Sequence, residues 1–125
     1  MYISEYMTPD PITVAPDMLL PAARQILKTY QIRHLPVVDR QKKLVGIVTD
    51  RDLRSAYPSS VRSNQDKILA FEQVAKTTVA DIMSTSCAAL SPEASLDDAL
   101  LLFDSEKIGG IPILGEDGVV LGFFS

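Results

Sequence analysis

Apolar positions along this 125-residue chain fall into short runs separated by proline, glycine and charged residues. Residues 11–14 (Pro-Ile-Thr-Val) read as a short strand, broken by Pro16 and Asp17. A helix is predicted from there to about Gln31, because Leu20, Ala23, Ile26/Leu27 and Tyr30 recur at helical spacing on one face. Residues 32–38 form an extended apolar run. Pro36 has no N–H and belongs at a strand start or edge, and it biases Leu35 towards extended geometry. A polar turn over 39–43 leads to a second buried strand, 44–48, and then to a helix over 49–56 stopped by Pro58.

The same succession occurs again. Residues 83–125 align with 7–49 at a constant offset of 76 with no gap. Met7/Met83, Pro16/Pro92, Leu20/Leu96, Ala23/Ala99, Ile32/Ile108, Pro36/Pro112 and Gly46/Gly122 are identical. Roughly two or three matches would arise by chance at average composition. In the second copy Ser95 reads as a helix N-cap followed by Asp97 and Asp98, and Glu116-Asp117-Gly118 supplies turn chemistry. Leu19 stands where Ser95 does, so Asp17 is the candidate cap in the first copy. Between the copies, 57–66 is polar and reads as loop, while 67–76 has the apolar spacing of an extra helix. The expected organisation is a first repeat over 1–60, a connecting segment over 61–78 and a second repeat over 79–125. The second repeat stops at Ser125, the counterpart of Thr49, before its last helix; Phe123-Phe124 are therefore expected to present apolar surface for another chain or further residues to cover. Two copies of one unit imply two-fold pseudo-symmetry, with an interface that suits a small ligand.

The net charge of −4 argues against an electrostatic grip on nucleic acid. Cys87 is the sole cysteine, which excludes an internal disulfide, suits a reducing cytoplasm, and reads as a small semi-buried residue. No apolar run approaches the length of a membrane span, and no leader-like segment opens the chain. His34 is the only histidine and has no second ligand at metal-binding spacing. It reads as a solvated loop residue, or as a cleft residue beside Arg33 that helps to hold an anion at mildly acidic pH.

The segment Gly46-Ile47-Val48-Thr49-Asp50-Arg51-Asp52 carries the candidate chemistry: a buried strand, then Thr-x-x-Asp opening a helix. A helix N-terminus favours anions. The Thr49 hydroxyl can meet a phosphate or sugar oxygen, and the Asp52 carboxylate can accept from both hydroxyls of a ribose. The same residues fit a capping box, in which each merely satisfies the other's backbone N–H. The two roles can coexist. Arg33 reads either as a solvated strand-edge residue or as a ligand contact; Arg51 can point to a cleft mouth, and Arg54 belongs to a solvated face. No nucleophile is paired with a base, and no Walker-type or Gly-x-Gly-x-x-Gly loop is present, so catalysis is not expected.

The doubled order strand, Pro-acid, helix, Ile-x-x-[Leu/Ile]-Pro, turn, Gly-x-x-[Thr/Ser] resembles a tandem cystathionine-β-synthase (CBS) domain pair, or Bateman module. With the extra segment and Lys107-Ile108-Gly109-Gly110-Ile111-Pro112, it resembles stand-alone bacterial proteins of the acetoin-utilisation B type. The resemblance implies an α+β fold of two β-α-β-β-α motifs packed through their sheets, and a homodimer. It implies a regulatory module for an adenosine-containing ligand (AMP, ADP, ATP or S-adenosylmethionine), with no resident cofactor. The signal would pass to a regulated enzyme or transporter. By position, Asp52 and Thr49 would hold the ribose, Arg33 would reach phosphate, Ala88 would read the adenine edge and Ile108 would wall the base. The pseudo-equivalent cleft would use Ile12, Ile32, Arg33 or His34, and Ser125, without a counterpart of Asp52, and is expected to bind weakly. Gly109 and Gly110 stand where some relatives carry polar side chains; they favour close backbone approach over polyphosphate binding. The alternative is a ligand-free dimerisation module.

Overall fold

The computed structural model describes residues 1–57 and 64–125. After a 3-10 turn (Ile3–Glu5) come β1 (Thr8–Pro9), α1 (Leu20–Tyr30), β2 (His34–Val38), β3 (Leu44–Thr49), α2 (Asp50–Ala56), α3 (Asn64–Ala75), α4 (Val79–Ile82), α5 (Leu96–Glu106), β4 (Ile111–Leu114) and β5 (Val120–Phe124). The mixture of helix and strand is the expected α+β class. Two antiparallel sheets form, β2–β3 and β1–β5–β4. The repeats match in detail. α1 and α5 each span 11 residues and end on a left-handed residue, Gln31 and Lys107, both with φ 54°. The two hairpins slip register at equivalent places, between Val37 and Val38 and between Ile113 and Leu114. Among the described residues no helix is long and apolar enough to cross a membrane.

The leading residues of each repeat lie on the other repeat. Thr8 pairs with Phe123, and Ser84 exchanges two backbone hydrogen bonds of 2.9 Å with Ile47. Ile3 N–H donates to Ala94 at 2.7 Å, and Val79 N–H donates to Met18 at 2.8 Å. Ser4 donates to Pro92 and Ala80 to Pro16. Each of these pairs of bonds obeys the offset of 76, so the repeat extends over 2–49 and 78–125, beyond the stretch visible as residue identities. Side chains follow the backbone. Ile3 is fully buried with Ala99, Ile111 and Ile113 of the second repeat, and Val79 with Leu20, Leu35, Val37 and Val48 of the first. Gly46 and Gly122 make the crossing possible: a Cβ on Gly46 would run into Met83 and come to 3.0 Å of the Ser84 carbonyl, and one on Gly122 would run into Met7. The hairpin turns also join across the dyad, with Leu44 donating to Gly118 at 3.0 Å and Val120 to Lys42 at 3.1 Å.

Several local expectations are corrected by this arrangement. The strand expected over 11–14 reduces to one parallel bridge, Val14 with Val37, because Pro9, Pro11 and Pro16 supply no donors around it. Sheet pairing is made instead by β1, with the other repeat. Pro36 lies in the middle of β2, not at its start. Its carbonyl accepts from Val14 at 3.1 Å, so the missing N–H falls on the outer edge of the sheet, where a ladder bond is not required. α1 begins at Leu20 with Leu19 as N-cap and no side-chain cap; Asp17 does not cap it, and Pro21 supplies the preset backbone angle of the first turn. α5 has the expected cap: Ser95 Oγ accepts from Asp98 N–H at 3.1 Å and Asp98 accepts from Ser95 N–H at 3.0 Å. Since Leu19 is exposed, Leu19→Ser should add about 0.5–1 kcal/mol to stability by capping α1. Chemical denaturation checks this; a variant no more stable than the parent would show that α1 does not gain from a cap.

The connecting helix starts at Asn64, so 64–66 belong to α3 rather than to a loop; Pro58 and the rest of 58–63 lie outside the described residues. Val74 ties α3 into the core of the first repeat. Phe123 and Phe124 are already half-buried within the chain. Phe123 packs on His34 with ring centroids 5.3 Å apart, and Phe124 stacks on Phe103 at 5.7 Å.

Candidate functional site

The dyad carries two clefts. The first, of about 390 Å³, is lined by Thr49, Asp50, Arg51 and Asp52 at the β3–α2 junction and, from the second repeat, by Ala88 and Ile108. The other, of about 540 Å³, is lined by Ile12 and Ile32 and, from the second repeat, by Phe123 and Ser125. Arg33, His34 and Gly109 line both. Every residue selected from the sequence as a candidate contact therefore faces a cleft, and the division into two groups matches the expected one, except that His34 also enters the first cleft. Missed were Lys107 and Ser86 in the first cleft and Asp10 in the second. Under the offset of 76 these are counterparts of Gln31, Asp10 and Ser86, positions already inside the aligned stretch, so the repeat register itself carried the signal.

At the junction the capping box is present. Thr49 Oγ1 accepts from the Asp52 N–H at 3.1 Å, and Asp52 Oδ2 accepts from the Thr49 N–H at 2.9 Å. The box occupies one oxygen of the carboxylate and one lone pair of the hydroxyl. An ionised carboxylate keeps further acceptor capacity on its other oxygen, and the hydroxyl keeps its proton to donate. Asp50 N–H donates to the Arg33 carbonyl at 2.9 Å, which ties the start of α2 to the residue preceding β2. Arg51 lies at the cleft as expected, while Arg54 is exposed and pairs with Asp50 at 3.7 Å.

His34 is a strand residue, half-buried, and not a solvated loop histidine. Its ring lies against the glycine pair of the other repeat. A Cβ on Gly109 would come to 3.4 Å from Nε2, and one on Gly110 would reach 3.3 Å from Cδ2 and run into Phe123. The room beside the Gly110 Cα is thus taken by His34 and Phe123, while Gly110 still lines the first cleft. Burial pushes the His34 imidazole below its ordinary value of 6.5; Asp50 opposes this, Arg33 reinforces it and Asp52 opposes it. The shift runs against the cationic form that the anion-holding reading of His34 requires. On acidification the unfolded chain takes up this proton first, so the contribution is present above about pH 6.5 and is lost as pH falls from there to the lower folded value. Melting temperature should decline as pH falls below about 6.5, and the decline should be shallower in His34→Gln. An equal slope in the variant would assign the effect to other groups.

The Cys87 thiol donates to the Ser84 carbonyl at 3.1 Å, and burial raises its pKa, in keeping with an inert semi-buried residue.

Comparison with known proteins agrees with this architecture. The CBS domain profile matches twice, over residues 3–59 and 79–125. The chain is 33% identical over 117 residues to an inosine-5'-monophosphate dehydrogenase of Aquifex aeolicus, covering 93% of this chain but 21% of the dehydrogenase. It spans about a fifth of the length of the dehydrogenases it matches. Among solved structures it resembles a Vibrio cholerae protein described as acetoin utilization protein AcuB, with a TM-score of 0.83 and 28% identity, covering all of this chain and 84% of that one. It also resembles the CBS domain pair of protein MJ0100, solved in complex with 5'-methylthioadenosine and S-adenosyl-L-methionine, with a TM-score of 0.81 and 26% identity, covering all of this chain and 89% of that one. Two profile matches that coincide with two crossed structural repeats show that the chain belongs to the CBS domain family, as a tandem pair.

Proposed function

We propose that this chain is a non-enzymatic regulatory module that binds an adenosine-containing ligand in the cleft of Thr49 and Asp52. One observation carries the reading. The hydroxyl–carboxylate pair of the first repeat faces Ala88 and Ile108 of the second across a cleft of nucleoside dimensions. Thr49 and Asp52 would hold a ribose, Ile108 would wall the base, and Arg33 would meet phosphate. The MJ0100 domain pair, in complex with two adenosine compounds, supports that ligand class. A ligand touching both repeats favours the arrangement in which they close on it, and it can shift a partner only by its differential affinity for two states. The regulated partner would be an enzyme or transporter in the cytoplasm, engaged by a homodimer of this chain.

A second reading, a ligand-free assembly module, is favoured by the closed capping box, which already gives Thr49 and Asp52 a structural task. Melting temperature measured against AMP, ADP, ATP, S-adenosylmethionine and cyclic di-AMP separates the two. A ligand at about a hundred times its dissociation constant adds roughly 2.7 kcal/mol to the folded state, a rise of several degrees in a domain of this size. A rise with one adenosine compound supports the sensor. No rise with any of them leaves the assembly module.

A further inference from the structure

We infer that Arg33 is a single anion-binding side chain shared between the two clefts, so that the chain holds one phosphorylated nucleoside at a time. This rests on the adenosine-binding reading above. Perfect two-fold symmetry would give each cleft its own basic residue. Here the counterpart of Arg33 is Gly109, and the counterpart of His34 is Gly110. One repeat supplies both side chains, and the His34 ring lies against the bare glycines of the other. Arg33 is exposed and lines both clefts.

The remaining charges make the sharing unequal. The first cleft also presents Arg51 and Lys107 beside Asp50 and Asp52. Among its lining residues the second cleft has Arg33 as its only cationic side chain, and it carries Asp10. His34 is packed between Phe123 and the glycine pair, and burial lowers its pKa. A phosphate on Arg33 in the first cleft therefore leaves the second with an unbalanced carboxylate. A second phosphate would find Asp10 there and no further cationic side chain among the lining residues. An uncharged nucleoside would escape this coupling. Arg33 is thus a specificity residue as well: it separates phosphorylated from unphosphorylated ligands.

The test is calorimetric titration of the full chain with AMP and with adenosine, on the parent, Arg33→Ala and Arg33→Lys. The side chain is exposed, and the hydrogen bond from Asp50 goes to the Arg33 backbone, so the variants should keep the fold. AMP should saturate at one per chain. Arg33→Ala should weaken AMP about tenfold or more while adenosine changes by less than about twofold, and Arg33→Lys should restore part of the preference. Two AMP molecules bound with comparable affinity would overturn the sharing. So would an AMP affinity indifferent to Arg33→Ala, or an equal loss for both compounds, which would mark a structural role. In those three cases adenosine binding keeps the sensor reading alive. Failure of both compounds to bind the parent removes that reading for them and the inference with it.

Discussion

Ile3→Ala is expected to cost about 2–5 kcal/mol, an effect far larger than a third residue normally has. Terminal residues usually fray, and shortening an exposed one changes stability by less than about 0.5 kcal/mol. Ile3 is instead fully buried against Ala99, Ile111 and Ile113, and its N–H is held by Ala94 at 2.7 Å. Alanine would leave a cavity in the core of the second repeat, although the change is made at the start of the first. In a chain of this size the melting temperature should fall by roughly 10 °C. Urea denaturation should still show one transition with nearly the parent slope, because each repeat's core is completed by the other's leading segment. Val79→Ala is the internal control: it occupies the equivalent position in the first repeat and should lose somewhat less, since valine has less to remove. A loss for Ile3→Ala within the range of a surface change would mean that the crossing does not contribute to stability.

Asp52→Ala should lower affinity for the adenosine ligand by about 2–4 kcal/mol, or roughly 30- to 1000-fold, if the carboxylate takes the ribose hydroxyls through charge-assisted hydrogen bonds. The same change opens the capping box and should cost about 1 kcal/mol of stability in the absence of ligand. The two effects are separable, because titration reads the first and denaturation without ligand reads the second. Asp52→Asn sharpens the distinction. Its amide oxygen can still accept the Thr49 N–H that Asp52 Oδ2 accepts at 2.9 Å, so stability should be largely kept, while the charge that strengthens a ribose contact is gone. An Asp52→Ala protein of reduced stability and unchanged affinity would leave the residue as a cap alone.

Much of this site was legible before the fold was known. The hydroxyl–carboxylate pair follows from the Thr-x-x-Asp spacing at the end of a buried strand, whereas Ile108, Ile12 and Ile32 were placed by the family resemblance; all of them line the clefts. Lys107 escaped notice because its counterpart, Gln31, carries no charge and both read as helix ends. Gly110 lines the first cleft, but its bare Cα also faces the other repeat. Whether a glycine leaves room for a ligand or for a neighbouring side chain depends on what packs there, and here His34 arrives from the other repeat.

Helix spacing, turn chemistry and the repeat are written locally. Apolar periodicity placed α1 and α5, Ser95 marked the N-cap of α5, and Asp39 and Gly118 marked the turns of the two hairpins. These outcomes depend on residues a few positions apart, so the sequence by itself determined them. It did not determine that each repeat is completed by the other's first residues. Thr8 with Phe123 and Ser84 with Ile47 are backbone pairings between distant segments, and backbone hydrogen bonds leave no periodic signature in either segment. Only the tertiary structure decided that crossing. It follows from burial: Ile3 and Val79 reach an apolar core only on the opposite repeat, and Gly46 and Gly122 are bare enough to let the chains pass.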